Sequence, residues 1–182
     1  MGRSGDVEMQ AFYREKISPF ANDEIAKSDL YGKLAAIDSE QLKAFLYYKI
    51  SQAVERGIAI DLDISPRFSS PSAGNLLEFA DLVRILGILM DNAIEECMAL
   101  PSGVISVRLS QNDELVSYAI KNTVSPETRE NGVKSGISAK GVGRGNGLII
   151  VRGILEKYDC VTLNSYFQED SFVQSLICYY AA

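Results

Sequence analysis

The chain has 182 residues, 47% of them hydrophobic, with 18 Lys and Arg against 24 Asp and Glu, a net charge of −6 and a pI near 4.8. That balance, with no basic run of five or more, argues against nucleic-acid backbones and acidic membranes as partners and leaves an anionic ligand to local backbone donors and a cation. No histidine is present, which removes His-dependent triads, imidazole acid–base chemistry and His metal sites.

The length suits one domain of ordinary size. The opening MGRSGD carries no signal-peptide pattern and reads as an expression remnant. Residues 7 to about 20 predict a short helix stopped at Ser18-Pro19, and the stretch from there to Ile37 is mixed. Asp38-Ser39 followed by Gln41 resembles a capping box. From there Leu42, Phe45, Leu46, Ile50, Ala53 and Val54 recur at helical spacing, with Gly57 as C-cap. IAIDLDI, 58–64, alternates as a half-buried strand, and SPRFSSPSAGN, 65–75, is a loop by composition.

A long helix covers about Leu77 to Leu100. VISVRLS, 104–110, and ELVSYAIK, 114–121, form an antiparallel hairpin around Gln111-Asn112-Asp113. Residues 123–146 hold Gly132, Gly136, Gly141, Gly143 and Gly145 and read as a mobile loop. GLIIVRGILEKY, 147–158, is a helix, and CVTLNSYF and SFVQSLICYY form a second hairpin around Gln168-Glu169-Asp170. Strand pairs separated by helices predict an α+β fold, a two-layer sandwich with helices on one face of a mixed, mostly antiparallel sheet.

No apolar stretch approaches the roughly 20 residues that cross a bilayer. Cys97, Cys160 and Cys178 are far apart and form no CxxC, which points to a reduced, cytosolic compartment and away from zinc. A bound metal would be a hard ion held by oxygens, magnesium first.

Three stretches carry candidate chemistry. In GISAKGVGRGNGL, 136–148, alternating glycines let the backbone approach a ligand, and the helix opening at Gly147 offers a partial positive charge to an anion. Lys140 and Arg144 add full charges; the competing reading is a plain glycine hinge. Neither the Walker spacing nor the Rossmann fingerprint is met. In ILMDNAIEEC, 88–97, Asp91 and Asn92 are mediocre helix formers inside an apolar helical run. Asn92 borders the stripe Leu82, Ile85, Leu86, Leu89 and Ala93, with Glu95 and Glu96 one turn on. Its amide could reach a magnesium ion, or simply bond nearby backbone. In YAIKNTVSPET, a strand ends at Lys121 and Asn122-Thr123 stand at its exit, either meeting a base edge or starting a turn.

Taken in order, DNAIEE on a helix, a polar residue at the following strand end and GVGRGNGL opening a helix resemble one family. They are similar to the N-box and the two glycine boxes of the Bergerat-type (GHKL) ATP-binding domain of sensor histidine kinases, type II topoisomerases and heat-shock chaperones. The form looks closest to the AgrC-like, peptide-sensing kinases of quorum systems, and the resemblance covers roughly residues 39–182.

The resemblance implies ATP held with Mg2+ between the N-box helix and a flexible lid. Asn92 matches the magnesium-binding asparagine, and Asn122 stands where most of the wider family has an adenine-contacting Asp. Gly141, Gly143, Gly145 and Gly147 match the glycines lining the triphosphate, Leu148 closes that box, and Lys140 and Arg144 act as lid cations. The usual DxGxG is absent, and Ile88 occupies the position of the water-activating Glu of the ATP-hydrolysing branches.

The activity implied is that of a protein-histidine kinase whose phosphoacceptor histidine lies outside this chain. Residues 1–37 would be a remnant of the dimerisation-helix region and 38–182 the catalytic domain. The full protein would be a homodimer, anchored in the membrane by upstream segments and passing phosphate to a response regulator. An anti-sigma-like Ser kinase of the same fold and a degenerate module without nucleotide are the alternatives.

Overall fold

The computed structural model describes residues 25–66, 68–69, 76–135 and 146–180. Five strands form one sheet in the order β1-β2-β3-β5-β4. These are β1 (Ala59–Ile64), β2 (Val104–Gln111), β3 (Leu115–Thr123), β4 (Val161–Gln168) and β5 (Ser171–Tyr179). β1 pairs parallel with β2, and the other neighbours pair antiparallel.

That pairing dictates where the helices go. Parallel neighbours cannot be joined by a tight turn, so a helix must cross over between β1 and β2. α3 (Phe79–Met98) makes that crossing. β3 and β4 also run in the same direction, each antiparallel to β5 between them. α4 (Pro126–Ser135) and α5 (Asn146–Leu155) lie on the connection between them. The predicted two-layer class is the one observed, and α3 and α5 run antiparallel on the sheet because their flanking strands run in opposite senses.

The core lies between that sheet face and the helices. β3 alternates strictly, with Val116, Tyr118, Ile120 and Asn122 buried beneath the helices. From α3 it receives Leu82, Ile85, Leu86, Leu89, Met90, Ala93, Ile94 and Cys97, a stripe at helical spacing. The last turn of α3 packs hard on the start of β2: a Cβ on Gly103 would lie 2.5 Å from that of Cys97. Burial raises the Cys97 thiol above its ordinary range, and burial with a lesser contribution from Cys160 pushes Cys178 up to about 12.

Before the sheet, α1 (Ile25–Gly32) and a 3-10 turn (Lys33–Ala36) occupy the stretch that reads as mixed in sequence. Tyr31 stacks on Tyr47 at 4.4 Å and bonds Ser51 at 3.0 Å, while Leu34 and Ile37 are buried in the same core. α2 (Glu40–Glu55) follows, capped by Ser39, whose hydroxyl accepts from Leu42 N–H at 3.3 Å. The cap is thus one residue later than the Asp38–Gln41 box predicts, because Ser39 has the extended backbone that a cap requires. Gly57 follows with φ 75°, the left-handed conformation expected after a helix end.

Two further expectations need correction. β3 does not stop at Lys121: Asn122 pairs with Ile105 and Phe172, and Thr123 with Ser171, so both stand inside the strand. Thr123 Oγ1 accepts from Val104 N–H at 2.8 Å, which extends the ladder at its end. The 123–146 stretch is not wholly loop, since α4 begins at Pro126 behind Ser125, whose hydroxyl accepts from Thr128 N–H at 3.0 Å. The helix expected at 7–20 falls outside the described residues.

Candidate functional site

The site is built where α3 and α5 run side by side. At one end, Tyr158 Oη donates to Asp81 Oδ2 at 2.7 Å, and Lys157 Nζ reaches the same carboxylate at 3.2 Å. The Tyr158 hydroxyl, ahead of Lys157, holds the Asp81 carboxyl below its usual range, although burial pushes the other way. At the other end, Ile88 meets the first turn of α5 at Gly147.

Asp81, Ile88 and Asn92 are seven and four residues apart, which places them almost in line on a helix of 3.6 residues per turn. Asp81 and Ile88 face α5, so Asn92 lies on the same line. Gly147 is opposite Ile88, and Asn92 is one turn further, about 6 Å along the axis. It therefore stands just beyond the N-terminus of α5, where the amides of that helix and its dipole favour an anion. Asn92 is half-buried and makes no hydrogen bond among the described residues. Glu96 follows one turn later and is also half-buried.

The sheet supplies the floor. Asn122 is 5% exposed, on the helix-facing side of β3. Its Nδ2 donates to Thr123 O at 2.9 Å, which orients the amide oxygen as the free acceptor. Cys97 Sγ lies 3.9 Å from that same carbonyl, so the end of α3 reaches over this part of the strand. Beside Asn122 in register is Phe172, and Phe167 follows on β4 with its ring 4.9 Å from that of Phe172. Both are half-buried. Gln174, 3% exposed on the same face, donates to Ser165 at 3.4 Å. Sequence reading missed Phe167, Phe172 and Gln174. The period-2 alternation of the second hairpin puts all three on the helix face and was the signal available.

The structure sets Gly147 against Ile88, one turn before Asn92 on α3, and places Asn122 on β3 next to Thr123, which the end of the same helix touches. Leu148 is half-buried and packs against the core. Lys140, Gly141, Gly143, Arg144 and Gly145 lie outside the described residues. Asp91 turns away from the site: its carboxylate accepts from Lys49 Nζ of α2 at 2.6 Å. The arrangement can present an anion-binding helix end, an oxygen ligand for a hard cation, and an aromatic surface of two tilted rings beside a hydrogen-bond acceptor.

Known proteins resemble this chain in sequence and in fold. A family model described as the GHKL domain matches residues 77–178. The sensor histidine kinase DcuS of Escherichia coli K12 is 29% identical over 126 residues, 68% of this chain and 23% of DcuS. DcuS of Shigella flexneri matches to the same extent. The chain spans less than a quarter of the length of these curated relatives.

Among solved structures, the catalytic domain of histidine kinase ThkA superposes with a TM-score of 0.56 at 18% identity, over 74% of this chain and 86% of that one. The mycobacterial sensor histidine kinase MprB gives 0.52 at 18% identity, over 76% and 95%. At such identity the likeness speaks for the fold, a mixed five-stranded sheet with helices on one face. The family model runs from the entry to α3 through to β5 and covers more than half of the sequence; the chain belongs to the GHKL domain family.

Proposed function

We propose that this chain is the ATP-binding catalytic domain of a sensor histidine kinase, passing the γ-phosphate of ATP to a histidine supplied from outside these 182 residues. The reading rests on Asn92, one turn past Ile88 on the line that Ile88 and Asp81 mark out, and so just beyond the N-terminus of α5. The likeness to DcuS and ThkA favours histidine over serine as the acceptor.

In this reading adenine lies against Phe167 and Phe172, with its amino group donating to the Asn122 amide oxygen. That acceptor replaces the carboxylate usual at the position, so one neutral hydrogen bond does the work of a charge-assisted one. The triphosphate runs toward Gly147, where the amides of α5 and the glycines Gly141, Gly143 and Gly145 stabilise its charge, helped by Lys140 and Arg144.

Asn92 would hold Mg2+ through its amide oxygen. One protein oxygen suits an ion that keeps most of its waters and takes phosphate oxygens for the rest. When bound, the ion neutralises charge developing on the phosphoryl oxygens. The chain's own part is to hold the γ-phosphate in line with an incoming imidazole nitrogen. The N–P bond forms as the bond to the β–γ bridging oxygen breaks. With Ile88 in place of a carboxylate, no general base at that position activates water.

The absence of a DxGxG sequence and the DNAIEE box support the AgrC-like, quorum-sensing subtype. Residues 1–37 would then end the dimerisation region and 38–182 bind ATP, the full protein being a membrane-anchored homodimer that serves a response regulator. Calorimetric titration with a non-hydrolysable ATP analogue, with and without magnesium, tests the core of the reading. Magnesium-dependent binding is expected; no binding under either condition sinks it.

A further inference from the structure

α5 is pinned to α3 at both ends, by different means. The far end is held by the Asp81–Tyr158–Lys157 cluster. The near end is held by lack of space: a Cβ built on Gly147 would lie 2.8 Å from Cγ2 of Ile88, whereas carbon atoms pack at about 3.5–4.0 Å. Gly147 does not need to be glycine for its backbone, because among the described residues only Gly57 is a glycine with positive φ. A glycine in a helix sacrifices propensity, so what the residue provides here is clearance. Ile88 is partly buried and packed against the core, so its methyl group is backed by neighbours.

We propose that Ile88 and Gly147 form a steric stop that sets how closely the N-terminus of α5 approaches α3, and so fixes the spacing between the phosphate-facing amides of α5 and Asn92. The inference rests on the ATP-site reading and adds to it a task for position 88. Where hydrolysing relatives place a carboxylate, this chain has a wedge. Ile88 is a positioning residue, whereas Gly147 gives clearance as well as the backbone that the ATP-site reading sets beside the triphosphate, which with its cation must span the two elements.

The test is ATP affinity in the presence of magnesium, measured by calorimetry well below the melting temperature of each variant, with melting followed alongside. Gly147→Ala forces the helices apart by about 1 Å, a misplacement large enough to weaken binding by about tenfold or more. Adding Ile88→Leu removes the β-branch that carries Cγ2 and keeps the volume, so the double variant recovers affinity to within about threefold. Adding Ile88→Val instead keeps Cγ2, and no recovery is expected.

Unchanged affinity in folded Gly147→Ala overturns the stop, as does equal rescue by valine and leucine. A lowered melting temperature without loss of affinity assigns the pair to stability alone and also overturns it. Should Gly147→Ala fail to fold, a folded, ATP-binding double variant with leucine supports the stop, and an unfolded one refutes it. If the unmodified chain binds no ATP, the failure lies with the nucleotide reading itself.

Discussion

The two flanks of α3 are adjacent on one helix and are built for different ends. On the α2 side, Asp91 and Lys49 close a 2.6 Å ion pair across a shallow groove that Arg56 and Glu95 also line. Lys49 and Asp91 satisfy one another, and Arg56 donates to the Gln52 carbonyl at 3.0 Å. On the α5 side, Asn92 has no hydrogen-bond partner among the described residues. It lies by the N-terminal end of α5, whose first amides lack intrahelical acceptors. Neighbouring residues, about 100° apart around the helix, therefore divide the labour: Asp91 ties the helix layer together, and Asn92, without a hydrogen bond among the described residues, is the one proposed above to meet a ligand. The general lesson is that a binding flank is recognised by polar groups left unspent, not by how many there are.

The sharpest way to break this contrast is Asn92→Ala. Magnesium-dependent ATP binding should fall by about a hundredfold, as when a group supporting a metal is lost. Melting should hold within about 2 °C, because the half-buried amide removed makes no hydrogen bond among the described residues. A large drop in melting temperature would make Asn92 structural and erase the distinction.

Next in size is Tyr158→Phe, which removes the hydrogen bond to the Asp81 carboxylate. Chemical denaturation should show a loss of about 1.5 kcal/mol.

Acid sharpens the same end of the flank. The folded Asp81 carboxyl lies below its ordinary value, chiefly through Tyr158. Its stabilisation is therefore fully present above the unfolded value of about 3.9 and is lost as pH falls through the lowered folded value. The stability difference between the unmodified chain and Tyr158→Phe should shrink below about pH 4, and a constant difference would remove Asp81 from the account.

The smallest effect belongs to the other flank. Asp91 is 55% exposed in its ion pair, so Asp91→Ala should cost no more than about 0.5 kcal/mol and leave ATP affinity unchanged. Lost affinity in that variant would mean that the two flanks are not separate.

Periodicity alone made α3, the two hairpins and the two-layer class legible, because each is written in contiguous residues. The box residues Asn92 and Gly147 were legible as unusual choices: a poor helix former in an apolar run, and a glycine opening a helix. What could not be read depends on partners far along the chain. Asp91 finds Lys49 42 residues away, and nothing local predicts that pair. Asn122 reads in sequence as standing at the exit of a strand that ends at Lys121. Its true setting needs β5, which enters the sheet between β3 and β4 from nearly 50 residues later. α4 was hidden by its polarity, although Ser125-Pro126 is a start signal that composition outweighed. Gly147 was assigned to phosphate by pattern, while the clash that makes glycine necessary involves Ile88, 59 residues earlier.

The three cysteines have a practical consequence. Cys97 is 1% exposed at the end of α3, Cys178 is fully buried in β5, and Cys160 lies half-exposed at the surface. Thiolate is the reactive form, and burial suppresses it at the first two positions. An alkylating reagent should therefore take Cys160 first and reach the other two only when α3 or the sheet opens. The unmodified chain thus carries its own clocks, one on the helix that bears Asn92 and one in the sheet. Comparing their rates with and without nucleotide would show which layer ligand binding makes harder to open.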